Sequence, residues 1–245
     1  MLRAIQNAVE RRRRPMHDHH YLALSGTGLA YGRCPHSATD SIRQALRELS
    51  ARHGPGPGVA PPLTTRYATG TLSNWTDGMA LLSARQLERR HPDALVFAAI
   101  RDPVMRLAAC YARDYGAGRA VPPSARFLGF REGMSFDAFT ACVCGIPDRK
   151  SPNAFRSQAD ILFHKGKLLP RLLIRFEHRE ADWSALRALA QTARGIDIGP
   201  LPPHEDSAEQ RIARIAATLD PSLRKKAEQR YRDDYSLFAR EKPAG

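Results

Sequence analysis

The stretch Ala94-Leu95-Val96-Phe97-Ala98-Ala99-Ile100-Arg101-Asp102-Pro103 decides the fold of this chain. Ala94 to Ile100 is apolar without interruption, as a strand covered on both faces must be; a strand with one wet face would alternate. Asp102 then offers a carboxylate to free backbone N–H groups, and Pro103 suits a first helical turn, where its missing N–H costs nothing. The reading is a buried strand feeding a helix that runs to about Arg113.

The same alternation extends outward. Upstream, Tyr21 to Tyr31 is strand-compatible but broken by Ser25-Gly26-Thr27-Gly28, so an edge element or turn comes first and a buried strand follows at Leu29 to Cys34. Ile42, Ala45, Leu46 and Leu49 recur at helical spacing and predict one apolar stripe against a sheet. Arg52 to Pro62 is rich in proline and glycine and reads as a loop, and Leu81 to Arg90 reads as a helix. Downstream the pattern predicts a helix at Phe136 to Val143, a third strand at Leu168 to Phe176, and a helix at Asp182 to Ala193. After Pro203 come two helical segments parted by Asp220-Pro221. Strands alternating with helices predict a three-layer α/β fold, P-loop-like, with a central parallel sheet flanked by helices. The division expected is a basic N-terminal arm over 1–20 and a single domain over 21–240.

Composition narrows the function classes. With 38 Lys plus Arg against 25 Asp plus Glu, the formal charge is +13, which favours anionic partners without choosing among nucleotides, acidic glycans, nucleic acid or a membrane surface. Aromatic residues make up only 7% and do not interleave with the basic ones, which disfavours nucleic-acid binding. No run approaches the roughly 18 apolar residues of a membrane span. Met1 to Arg14 reads as a short helix ending in four arginines, a solvated end that could also touch a membrane surface, with no secretory core after it. Cys34, Cys110, Cys142 and Cys144 are too few for a disulfide scaffold; they read as core thiols of a cytoplasmic protein. The Cys142/Cys144 pair lacks further zinc ligands at nearby spacing, His17, His19 and His20 read as a polar surface turn, and no metal is expected.

Two strand-to-helix junctions carry the chemistry, because ligands of open α/β sheets bind beyond the carboxyl ends of strands, where helix N-termini present free N–H groups. At the first, Pro35-His36-Ser37-Ala38-Thr39-Asp40-Ser41, small and hydroxylated residues open a helix, which suits either a phosphate cradle or an ordinary capped helix. At the second, Arg101 ends the buried strand and Arg106 follows one turn into the helix, a pair suited to gripping phosphate or to pairing with carboxylates.

Taken together, these junctions resemble the two donor-binding motifs of sulfotransferases that use 3′-phosphoadenosine 5′-phosphosulfate (PAPS). Residues 35–41 are similar to the family's P-K-x-[AG]-[ST]-[ST]-S loop, and Arg101, Asp102, Pro103, Arg106, Leu107, Ala109 and Tyr111 to its R-D-P-x-x-R-L-x-S-x-Y segment. Arg175-Phe176-Glu177 resembles a strand ending in F-E, and Tyr231 to Phe238 resembles the Y-x-x-D-Y-x-x-F close of carbohydrate-modifying members. Asn153 to Gln158 is weakly similar to a family N-x-H-[WF]-x-P-Q stretch.

The resemblance implies sulfuryl transfer from PAPS, as co-substrate, to a hydroxyl of a glycan or small alcohol. It implies that Arg101 and Arg106 hold the 3′-phosphate, that Pro35, His36, Ser37, Ala38, Thr39 and Ser41 hold the 5′-phosphosulfate, and that His36 stabilises the leaving charge. Glu177 and His36 are the candidate bases, and Arg66 and Tyr67 candidate acceptor-cleft residues. Three positions depart from the pattern: His36 stands for the loop lysine, Asp40, whose ionised carboxylate would repel a phosphate, for a hydroxyl that would donate to it, and Ala109 for a serine. Those departures keep open a non-catalytic relative that binds a nucleotide or an anionic partner.

Overall fold

The computed structural model describes residues 17–24, 26–37, 39–53, 79–116, 118–121, 123–204 and 206–239. The basic arm before His17, most of the proline-glycine loop, Arg66, Tyr67 and Ala38 lie outside them. In chain order the strands are β1 His19–Leu24, β2 Leu29–Gly32, β3 Met79–Ser83, β4 Leu95–Ile100, β5 Phe163–His164, β6 Lys167–Leu168 and β7 Leu172–Arg175. The α-helices are α1 Thr39–His53, α2 Ala84–Arg90, α3 Pro103–Cys110, α4 Pro123–Arg126, α5 Phe136–Cys144, α6 Gln158–Leu162, α7 Arg179–Arg194, α8 Asp206–Ala217, α9 Pro221–Arg230 and α10 Arg232–Phe238.

The main sheet runs β3-β1-β2-β4-β7. β2, β4 and β7 are parallel, as expected, with Tyr31 level with Phe97 and Phe97 level with Leu172. β1 is antiparallel to both of its neighbours, so the sheet is mixed, and β1 lies inside it while β3 forms the edge. The reason is the short Gly26-Thr27-Gly28 turn: both glycines take left-handed φ, and Thr27 Oγ1 donates to Leu24 O at 2.9 Å. A connection that tight can only return the chain as a hairpin; a parallel neighbour needs a long crossover.

All six residues of β4 are buried. Its alternate side chains divide between two cores. Phe97 and Ala99 join Tyr31, Leu46, Ile174, Trp183 and Leu186 under α1 and α7, whereas Ala98 and Ile100 meet Ile161 and Leu162 of α6. On the first face Phe97 packs 5.3 Å from the Tyr31 ring and edge-on to Trp183 at 6.3 Å. On the second, α6 approaches so closely that a Cβ at Gly32 would stand 2.9 Å from Leu162 Cδ2. A separate helical core joins α3, α5, α8 and α9 around Phe139, Phe155 and Tyr231.

Several boundaries differ from the sequence reading. Leu81 to Arg90 is a strand and a helix: Ser83 ends β3 and caps α2, accepting from Gln86 N while Gln86 Oε1 takes the Ser83 N–H. The predicted strand from Leu168 is interrupted by Pro170, which leaves β6 in a small hairpin and restricts β7 to Leu172–Arg175. The C-terminal region holds three helices, since Tyr231 breaks α9 from α10. His19 and His20 belong to β1 instead of a surface turn, and His20 is buried with its Nε2 3.1 Å from Arg156 Nη1.

Burial, reinforced by the Arg156 charge, holds the His20 pKa at about 3. The ring is therefore neutral in the folded protein, while in the unfolded chain it takes up a proton near 6.5. The unfolded state thus binds the extra proton, and His20 costs stability as pH falls from 6.5 towards about 3. Urea denaturation across that window should show a shallower acid loss in His20→Gln, whose amide oxygen can still accept from Arg156; an identical slope would contradict the assignment.

Candidate functional site

Because β2 and β4 are parallel neighbours, their carboxyl ends open side by side and the two junctions become one wall. Four hydrogen bonds hold them. Gln158 Oε1 accepts from Ser37 Oγ at 3.0 Å and from Arg101 N at 2.9 Å, and Gln158 Nε2 donates to Arg101 O at 2.8 Å. Arg106 Nε donates to Pro35 O at 2.8 Å. Gln158 is itself held by the C-terminal segment. Asp234, fully buried, accepts from Ser157 Oγ, Gln158 N and Ala159 N at 2.5, 3.0 and 2.8 Å, taking up N–H groups that the first turn of α6 leaves free. Tyr231 Oη donates to Phe155 O in the same region.

Beside this junction lies a cleft of about 250 Å³, lined by His36 and Asp40 of the first segment, Arg101 and Ala109 of the second, and Phe176 after β7. The rest of the lining comes from Ala112 and Arg113 and from His204, Ala208, Glu209, Arg211 and Ile212 at α8. α8 is amphipathic and docks its apolar side, including Ile212 and Ala216, on α3, and that docking carries Glu209 to the mouth of β4.

Arg101 is the centre of this cleft. It is 3% exposed, its guanidinium lies 4.2 Å above the Phe176 ring, and its Nη2 donates to Glu209 Oε2. Burial pushes the guanidinium's pKa down, and the Glu209 carboxylate opposes that shift. Its buried Nε has no hydrogen-bond partner among the described residues, an unmet donor of the kind that an anionic ligand satisfies. His204 Nε2 lies 3.0 Å from Glu209 Oε1.

The other expected ligands take different places. Arg106 is 2% exposed and donates to three carbonyls, those of Pro35, Asn153 and Arg156, so it binds backbone and shapes the loop. The Ser37 hydroxyl is turned inward to Gln158, and the Ser41 hydroxyl donates to Pro203 O at 3.2 Å. Pro35 contributes its carbonyl to Arg106. Thr39 opens α1, and Asp40, exposed in its first turn, lines the cleft. Glu177 accepts the Asp102 N–H at 3.0 Å, fixing the start of α3, and is not among the cleft-lining residues. Asp102 caps α3 as expected, accepting from Met105 N at 2.9 Å.

His36 adopts a left-handed backbone, φ 65°, uncommon for a residue with a Cβ. Its Nε2 lies 3.1 Å from Asp114 Oδ2, on a π-helical turn that extends α3 over Tyr111–Tyr115. Burial lowers the His36 pKa, and the Asp114 hydrogen bond and charge work against that. The sequence reading missed Arg113, His204, Glu209, Arg211 and Asp114. Only the weak Asn153–Gln158 similarity signalled Gln158.

Residues 19–239 match the family described as Sulfotransferase family. No match emerged among curated proteins or among solved structures. No helix among the described residues is long and apolar enough to cross a membrane. Replacing Gln158 by Leu strands the Ser37 hydroxyl and both Arg101 backbone groups without partners; urea unfolding should report a loss of about 3 kcal/mol or more, and a loss within ~0.5 kcal/mol would contradict the bridging role. The family match over residues 19–239 shows that this chain belongs to the sulfotransferase family.

Proposed function

We propose that the chain transfers the sulfuryl group of PAPS to a hydroxyl of a glycan or small alcohol. The observation that carries this reading is Arg101: a buried guanidinium in the cleft with one unmet N–H, held for now by a single carboxylate. A phosphate group of the donor meets that need with two oxygens in the fork geometry guanidinium favours. Binding exchanges partners: Glu209 gives up Arg101 as the phosphate takes it. Arg113 and Arg211 on the same wall add positive field for the donor's remaining charge. The reaction makes a bond from acceptor oxygen to sulfur and breaks the one from sulfur to the phosphate oxygen, while the acceptor's proton passes to a base or to water.

The cationic role that the resemblance gives His36 is better filled by these arginines, since burial favours the neutral imidazole. Ala109 offers no hydroxyl on the cleft wall, which leaves still more of the phosphate contact to Arg101. The inward-turned hydroxyls of Ser37 and Ser41 favour a second reading, a relative that binds the nucleotide without turning it over.

Titration calorimetry with 3′-phosphoadenosine 5′-phosphate tests the donor site. Binding should disappear in Arg101→Ala and strengthen roughly tenfold in Glu209→Gln, about 1.4 kcal/mol, because the competing charge is gone. Equal affinity in wild type and Arg101→Ala would reject the site. Radiolabelled sulfate from PAPS, offered with a panel of glycans and alcohols, separates the two readings: transfer supports the enzyme, and nucleotide binding without transfer to any acceptor supports the non-catalytic relative.

A further inference from the structure

Beside the cleft, three metal-ligating side chains converge at a point that the donor reading leaves unused. A ring nitrogen of His36, Cys110 Sγ and a carboxylate oxygen of Asp114 lie within 4.8 Å of one another, and His36 Nε2 is 3.1 Å from Asp114 Oδ2. Tetrahedral coordination with metal–ligand bonds of about 2.0–2.3 Å sets such atoms roughly 3.3–3.6 Å from each other, so only small side-chain shifts separate this arrangement from a coordination shell. We infer that His36, Cys110 and Asp114 form a three-residue site for a borderline divalent transition metal, zinc or cobalt, with one coordination position open.

Three features built into the backbone assemble this cluster. Cys110 closes α3 and Asp114 follows four residues later on the π-helical turn, which brings both to the same side. Such turns recur at functional sites because the widened coil re-aims its side chains. His36 reaches them from the turn after β2 in its left-handed conformation, a strained geometry of the sort found where a ligand must be gripped. Cys110 is fully buried and Asp114 keeps 41% of its side chain exposed, so the thiol is shielded while the carboxylate marks the way in.

The donor set selects the ion. Thiolate and imidazole favour zinc or cobalt over magnesium or calcium, which prefer all-oxygen shells. Arg106 and Arg113 bear on the same histidine and oppose a cation; a thiolate and a carboxylate bring two negative charges that offset the charge of the ion. Cys110 loses its thiol proton to solvent as the metal–sulfur bond forms, and no electron is moved. Since His36 also lines the cleft, the ion would lie against the cleft wall.

Full-length protein stripped with a chelator and titrated with cobalt(II), without nucleotide, tests the site independently of sulfuryl transfer. One equivalent should produce a thiolate-to-cobalt charge-transfer band that zinc abolishes. The band should vanish in Cys110→Ser and persist in the double variant Cys142→Ser/Cys144→Ser. Absence of the band at stoichiometric cobalt, or its survival in Cys110→Ser, overturns the inference. Should Cys110→Ser fail to fold, Asp114→Asn, a change at a part-exposed carboxylate, must weaken cobalt binding at least tenfold; unchanged affinity overturns it equally.

Discussion

The amide of Gln158 is the constraint on which the site depends. One side chain at the start of α6 joins the turn after β2, through Ser37, to both backbone groups of Arg101 at the end of β4. Carboxamides suit this position because they offer an acceptor and a donor in one plane, and Gln158, fully buried, has a second bond from Nε2 to Asp234 at 3.3 Å. Buried polar groups are expensive unless paired, so a network this complete specifies one arrangement of the two turns. The C-terminal Tyr231 to Phe238 segment thereby gains a physical role: Asp234 caps α6 and fixes Gln158, which in turn fixes the wall of the cleft.

With that frame in place, the proposed donor site centres on Arg101. Its neighbours Arg106 and Ser37 hold structure, while Arg101 faces the cleft against Phe176 and Glu209. The contact with Glu209 keeps a buried cation paired, and a buried guanidinium without any counter-charge would be strongly disfavoured. The same contact means that an incoming anion competes with a carboxylate of the protein itself. In the proposed function, donor affinity is therefore a difference between two ion pairs, which would connect the packing of α8 directly to function.

Much of the fold was legible because its signals are local. The uninterrupted apolar run of β4, the Asp102-Pro103 start of α3 and the Asp220-Pro221 start of α9 each lie within a few residues, and each is where the sequence placed it. The direction of β1 was not legible as part of a parallel sheet, since strand direction is settled by a hairpin turn and by pairing with β3 some 60 residues away. The Leu81–Ser83 end of β3 was absorbed into the helix read over Leu81 to Arg90, because so short a strand has no period of its own.

At the site, the two motifs announced their own adjacency but not their division of labour. Whether a serine hydroxyl faces a ligand or Gln158 is decided by a residue 121 positions away, and Glu209 reaches Arg101 across 108; neither contact leaves a trace in local spacing. A crystal structure of the chain with 3′-phosphoadenosine 5′-phosphate bound tests the account most directly. The predicted result is a phosphate on the Arg101 guanidinium with Glu209 displaced and Gln158 still bridging Ser37 to Arg101. Nucleotide bound elsewhere, with the Arg101–Glu209 pair intact, would contradict it.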